Sequence, residues 1–260
     1  MSSGERLAGG DLTEVVRIGD VVRRATGFWT PSVHSLLHYL ENVAFTGVPR
    51  VRGIDHRGRE LLTFLPGEAV SLPHHAWSRS DDVLAQIGRF LRRYHDVVAG
   101  FRPPEGARWR HWLGAPSDGV ICHTDLTPQN LIFCDGRLMG LIDWDFAAPA
   151  PALFDVASAA KHWVPLMAPA RAVEEGWPDE PRGPRLRLLC DSYGLTATER
   201  AELLDMVLLK QRTGYESHER WAAEGDPGFV RMWAGGSGLR MEADMAWLRQ
   251  HRSELDEYLR

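Results

Sequence analysis

The spacing of apolar residues changes once along this chain, at Pro66-Gly67, and that change limits the fold more than any other feature. Before it, short runs alternate as strands do. Val15-Val16-Arg17-Ile18 and Val21-Val22-Arg23-Arg24 flank a Gly19-Asp20 turn, and residues 49–55 and 60–65 flank His56-Arg57-Gly58-Arg59. Between these pairs, Thr30-Pro31 reads as an N-cap followed by proline at the first helical position. Val33, Leu36, Leu37 and Leu40 then share one face, which predicts a helix over 31–42. After Pro66-Gly67 the period is mostly 3.6. Val83, Leu84, Ile87, Leu91, Tyr94 and Val98 predict a helix over 81–99, and a capping box at Thr196-Ala197-Thr198-Glu199 and the pair Asp226-Pro227 open two more. Residues 119–144 are the exception: Val120-Ile121-Cys122, Leu131-Ile132-Phe133 and Leu138-Met139-Gly140-Leu141-Ile142 are short apolar runs split by polar turns. Pro165, Pro169, Pro178, Pro181 and Pro184 predict a surface loop or a mobile connection over 165–184. The expected fold is α+β, with a small β-rich lobe over 1–66 and a larger, mainly helical lobe over 67–260.

Charge and composition narrow the function classes. The 260 residues carry 30 basic and 35 acidic side chains, a formal charge of −5, which excludes the usual basic type of nucleic-acid binder. No run approaches the ~18 apolar residues of a membrane span. Met1-Ser2-Ser3-Gly4-Glu5-Arg6 lacks the build of a secretion signal, and Cys122, Cys134 and Cys190 form no CxxC pair. A cytoplasmic protein without membrane or nucleic-acid partners is therefore expected. Only Lys161 and Lys210 are lysines, every other basic residue being arginine, a bias that reads first as the codon usage of a G+C-rich genome.

The chemistry concentrates in Ile121-Cys122-His123-Thr124-Asp125-Leu126-Thr127-Pro128-Gln129-Asn130 and Leu141-Ile142-Asp143-Trp144-Asp145. The spacing is H-x-D-x-x-x-x-N, with Asp-x-Asp after the next strand pair. Phosphoryl transfer needs positioning, neutralisation of charge, and an acceptor for the nucleophile's proton. Asp125 on a polar loop suits the proton acceptor. Asn130 and Asp143 supply hard oxygen ligands for Mg²⁺ from two neighbouring loops, while His123 suits a brace for the first loop.

This segment resembles the catalytic and metal loops of the aminoglycoside phosphotransferase family, relatives of the protein kinases. Phe64-Leu65-Pro66-Gly67-Glu68 is similar to the family's hinge, Ile87-Gly88-Arg89-Phe90-Leu91-Arg92-Arg93-Tyr94-His95 to a helix ending in histidine, and Asp155-Val156-Ala157 to its D-x-A. The resemblance implies a two-lobed protein-kinase-like fold that binds ATP or GTP with Mg²⁺ between its lobes. It also implies transfer of the γ-phosphoryl group to a small-molecule hydroxyl, with the backbone of Thr63, Phe64 and Leu65 meeting the base. The acceptor is expected to be an aminoglycoside or other antibiotic, or a metabolite such as choline, homoserine or a sugar.

Two departures from the family pattern bear on the phosphates. Neither lysine lies in the first lobe, and the Val21-Val22-Arg23 strand makes Arg23 the expected counterpart of the kinase lysine. The helix that should offer a glutamate carries His34 or Ser35 at that place, with Glu41 about two turns late. Ala8-Gly9-Gly10-Asp11 is a candidate phosphate-covering turn. Acidic residues of the helical region, among them Asp191, Glu216, Glu219, Glu224, Asp226 and Glu242, suit a polycationic acceptor or simply solvated helix faces. The rival from another class is a kinase-like binding protein without turnover. A protein kinase fits poorly, since the chain has no Asp-Phe-Gly or Ala-Pro-Glu triplet.

Overall fold

The structure is a computed structural model and describes residues 5–6 and 15–260. Strands β1 (Glu5–Arg6), β2 (Val16–Ile18), β3 (Val21–Arg24), β4 (Val51–Ile54) and β5 (Glu60–Thr63) form one antiparallel sheet in the order β1-β2-β3-β5-β4. Helix α1 (Thr30–Asn42) connects β3 to β4. Pro31 stands in its first turn, where no N–H is missed, and Val33, Leu36, Leu37 and Leu40 are buried on one face. Each such leucine contributes roughly 1.5–3 kcal/mol of burial. The Ala8–Asp11 turn expected over the phosphates lies outside the described residues.

Beyond residue 67 two small β elements frame the loops of interest. Strands β6 (Glu68–Ala69), β8 (Leu131–Cys134) and β9 (Arg137–Leu141) form one sheet, and β7 (Val120–Cys122) pairs with β10 (Ala148–Ala150). Around them pack α2 (Asp81–Val98), α3 (Ala152–Trp163), α4 (Pro169–Glu174), α5 (Gly183–Tyr193), α6 (Ala197–Ala223), α7 (Pro227–Ala234) and α8 (Ser237–Leu259). Ser80 caps α2 by accepting from Val83 N, Thr196 and Glu199 form the expected capping box on α6, and Asp226 caps α7. Among the described residues no helix is long and apolar enough to cross a membrane.

The proline-rich stretch is not the open loop its composition suggests. Pro169 and Pro184 sit in the first turns of α4 and α5, where proline starts a helix and does not break it. Met167, Ala172 and Trp177 from this stretch are buried together.

One apolar core runs without interruption from α1 through α2 into α3, α5, α6 and α8. Tyr39 Oη of α1 donates to Val97 O of α2 at 2.9 Å, and the Phe45 ring meets Tyr94 and Phe90 edge-on. Close by, Leu141 N donates to Gly47 O at 2.9 Å, and a Cβ on Gly140 would fall well inside van der Waals contact of the Gly47 backbone. Only a residue without a side chain lets these two backbones meet. Gly140→Ala is expected to lower stability by about 1–3 kcal/mol through overpacking, seen as a reduced midpoint in thermal or urea unfolding.

Candidate active site

Helix α3 holds the first loop by its backbone. Asp155, in the first turn of α3 and with no exposed surface, accepts from His123 N at 2.9 Å and from Thr124 N at 2.6 Å. Its Oδ2 also meets His95 Nε2 at 3.0 Å, and His95 Nδ1 is 2.8 Å from Tyr193 Oη. One turn on, Ser158 Oγ accepts from Leu126 N, and Trp163 Nε1 donates to Leu126 O. These bonds hold Thr124 at φ +65°, a left-handed conformation that a β-branched residue adopts only under constraint. His123 braces the loop as expected, with Nε2 donating to Ile142 O at 2.9 Å and Nδ1 accepting from Asp125 N. Burial pushes the Asp155 carboxyl upward, but His95, His123 and the loop amides outweigh it and hold the group below its ordinary value.

Asp125 and Asn130 meet directly. Asn130 Nδ2 donates to Asp125 Oδ2 at 3.0 Å and to Asp125 O at 2.9 Å, leaving Asn130 Oδ1 without a protein donor among the described residues. Burial raises the Asp125 carboxyl above its ordinary value, opposed first by the Lys210 charge and then by His123. Asp143 follows β9 at φ +61°, a second constrained left-handed residue, and lines the same cavity of about 300 Å³ as Asp125 and Asn130.

The guanidinium over Asp143 belongs to Arg24. Arg24 Nη1 is 3.0 Å from Asp143 Oδ1, Nε is 2.8 Å from Glu60 Oε1, and Nη2 pairs closely with Asp145 Oδ1. The expectation placed Arg23 here, and the structure does not. Strand side chains alternate, so Arg23, opposite Leu61, faces the other side of the sheet and makes no ion pair among the described residues. The glutamate is displaced as well: it is Glu60 of β5, and α1 reaches it through His34 Nε2 at 2.8 Å from Glu60 Oε2. Burial opposes the Arg24 charge, yet Asp143, Asp145 and Glu60 raise its pKa, so it stays protonated. Arg24 likewise holds Asp143 low against burial, whereas burial keeps the Asp145 carboxyl high.

Three carboxylates meet the Arg24 guanidinium, with Arg110 acting on Asp143 and Asp145 through its charge, so this corner keeps more acidic than basic groups. Asp143, half exposed, and the free Asn130 Oδ1 offer hard oxygen donors, so the residues fit Mg²⁺. At the hinge, Thr63 N donates to Arg50 O and Phe64 N to Asp20 O, and the Arg17 guanidinium stacks 3.6 Å from the Phe64 ring centroid. Of the three amides expected at the base, only Leu65 N–H is without a protein acceptor among the described residues.

The sheet order, the helix between β3 and β4, and the two loops under the sheet make this a protein-kinase-like fold. The sequence profile of the phosphotransferase enzyme family matches residues 105–188. A trifolitoxin immunity protein of Rhizobium leguminosarum bv. trifolii is 38% identical over 208 residues, 78% of each chain. A homoserine kinase of Sinorhizobium medicae is 26% identical over 170 residues, 51% of this chain and 52% of that one. Among solved structures, an amicoumacin kinase in complex with AMP-PNP and Ca²⁺ superposes with a TM-score of 0.65 at 13% identity, covering 98% of this chain and 88% of that chain. The chain belongs to the phosphotransferase enzyme family. It is a small-molecule phosphotransferase.

The Asp155 anchor yields a testable consequence. An aspartate held low when folded stabilises the fold above its ordinary value of about 4 and loses that contribution as pH falls through the depressed value. Asp155→Asn should therefore cost about 3–5 kcal/mol at neutral pH, and its stability should fall less steeply on acidification than that of the wild type, read by urea unfolding from neutral to acid pH.

Proposed function

We propose that the protein transfers the γ-phosphoryl group of ATP or GTP, with Mg²⁺, to a hydroxyl of a small molecule. The observation that carries this reading is the Asp125–Asn130 contact in one cavity with Asp143. Asp125 orients the acceptor hydroxyl and takes its proton, a role favoured by a carboxyl raised above its ordinary value. Asn130 Oδ1 and Asp143 would hold Mg²⁺, which when bound neutralises charge on the phosphates. Arg24 takes the phosphate-steadying role expected of Arg23, and Leu65 N–H meets the base. Two of the named relatives are a trifolitoxin immunity protein and a homoserine kinase, which supports two biological forms of this chemistry, modification of a toxin and phosphorylation of a metabolite.

A kinase-like binding protein without turnover is the competing reading, and the observation in its favour is Arg24 locked onto Asp143 and Asp145. Thermal unfolding with ATP and with GTP, with and without Mg²⁺, separates the two when paired with an assay for nucleoside diphosphate release. A nucleotide at about 100 times its Kd adds about 2.7 kcal/mol. Metal-dependent stabilisation should vanish in Asp143→Ala, and Asp125→Asn should keep nucleotide binding while turnover falls about 10²–10⁴-fold. A wild type that binds nucleotide and releases no diphosphate with any acceptor would sink the enzymatic reading.

A further inference from the structure

The two lysines of the chain, 49 positions apart in sequence, meet in the cavity of Asp125. Lys161 comes from the face of α3 that also carries Asp155 and Ser158, and Lys210 from the α6 helix packed against it. Both are more than nine-tenths buried, and among the described residues neither ammonium has a hydrogen-bond or ion-pair partner. Lys210 Nζ rests 4.1 Å from the Trp112 ring centroid and 5.3 Å from that of Phe154, contacts that use no hydrogen-bond acceptor. Of the nearby carboxylates, Asp125 accepts from Asn130 and acts on Lys210 through its charge alone. Arg171 takes Glu175 Oε1 at 2.8 Å and Asp244 at 2.5 Å, and Glu175 Oε2 is without a hydrogen-bond partner among the described residues.

A buried, unpaired ammonium is costly, and two at one site are costlier still. The surroundings register that cost. Burial outweighs the Asp125 charge and, joined by Lys161, brings Lys210 down to about 7; burial and then Arg171 outweigh Asp244, Glu175 and Asp125 and bring Lys161 to about 8. His162 on the same wall is pushed well below its ordinary value by burial and then by Lys161, Arg171 and Lys210. The acidic residues expected to attract a polycation lie elsewhere: Asp191, Glu216, Glu219, Glu224 and Glu242 are exposed, and Asp226 caps α7. None of them lines this cavity.

We propose that the acceptor carries a carboxylate, held by Lys210 and Lys161 while its hydroxyl meets Asp125. The proposal rests on the phosphotransferase reading and adds the charge of its substrate. Asp125 and Glu175 on the same wall disfavour a group of higher charge, such as a phosphate ester. An aminoglycoside would bring further cations against two that already lack partners.

The test uses a panel of short hydroxy acids, L-homoserine among them, each paired with its primary amide, together with ethanolamine and gentamicin. Binding is read by thermal stabilisation without nucleotide, and turnover by ADP or GDP release. The acids should stabilise the wild type and be preferred over their amides by about ten- to hundredfold in kcat/KM, the scale of one or two charge-assisted hydrogen bonds. Lys210→Met and Lys161→Met should bring that ratio close to one through KM, while the unfolding midpoint rises, because an apolar side chain of similar size replaces an unpaired charge. A lysine with a purely structural role would lower the midpoint instead.

Equal use of acids and amides, preference for ethanolamine or gentamicin, or no stabilisation by any acid would each overturn the proposal. So would a loss in kcat alone, equal for both members of a pair, which would place Lys210 on the transferred phosphoryl group. A Lys161→Met variant with full acid preference would assign that lysine to the unpartnered Glu175 Oε2 and remove it from the site. Acid binding without any diphosphate release would refute the phosphotransferase reading and leave the anion site standing.

Discussion

Asp155 is a charge with no exposed surface, and the rest of the site depends on how that charge is satisfied. Buried this completely, its oxygens need donors, and those it finds are two consecutive loop amides and a histidine. That requirement sets the position of the loop to within hydrogen-bond tolerance. It also joins α3 to α2 and, through Tyr193, to α5. The strained backbone at Thr124 persists because its neighbours leave no relaxed alternative, and Asp125 emerges from the strained turn facing the cavity. A buried carboxylate thus does for this loop what a metal or disulfide does in smaller proteins: it converts a flexible connection into a fixed one.

Across the cleft a second charge works differently. Arg24 lies between Glu60 on its own sheet and the Asp143–Asp145 pair below, so it is shared between the two halves of the molecule. Its fork suits that sharing, since each nitrogen addresses a separate carboxylate across a rigid plane wider than the compact ammonium of a lysine. Moving the glutamate from α1 to β5 follows from the same choice. A glutamate adjacent in the sheet stays beside Arg24 whatever the helix does, and His34 gives α1 a contact to the pair without adding another carboxylate to an already acidic corner.

The parts legible in the sequence are those governed by local rules. The face of α1, the period of α2, the capping box of α6 and the hairpin over β2 and β3 each depend on residues within a few positions of one another. The convergence of Asp125, Asn130 and Asp143 on one cavity was legible because fixed spacing between strands carries it. Arg23 and Arg24 differ by one position, and which of them faces the cleft is decided by sheet register, information that lies in the partner strands. The proline-rich stretch misleads because composition records that prolines are present but not that two of them open helices. Lys161, Lys210 and Trp112 come together only through the packing of α3 on α6, and the rarity of lysine was the one sign of them in the sequence.

The docking of α1 has a mechanical consequence. Tyr39 and Phe45 tie this helix and its following turn to α2, while His34 ties it to Glu60 of the sheet and its backbone packs against β4. The helix is thus held from both sides, and the imidazole–carboxylate contact is a seam between the sheet that carries Arg24 and the frame that holds Asp125. A displacement of the one against the other would have to lengthen that contact first.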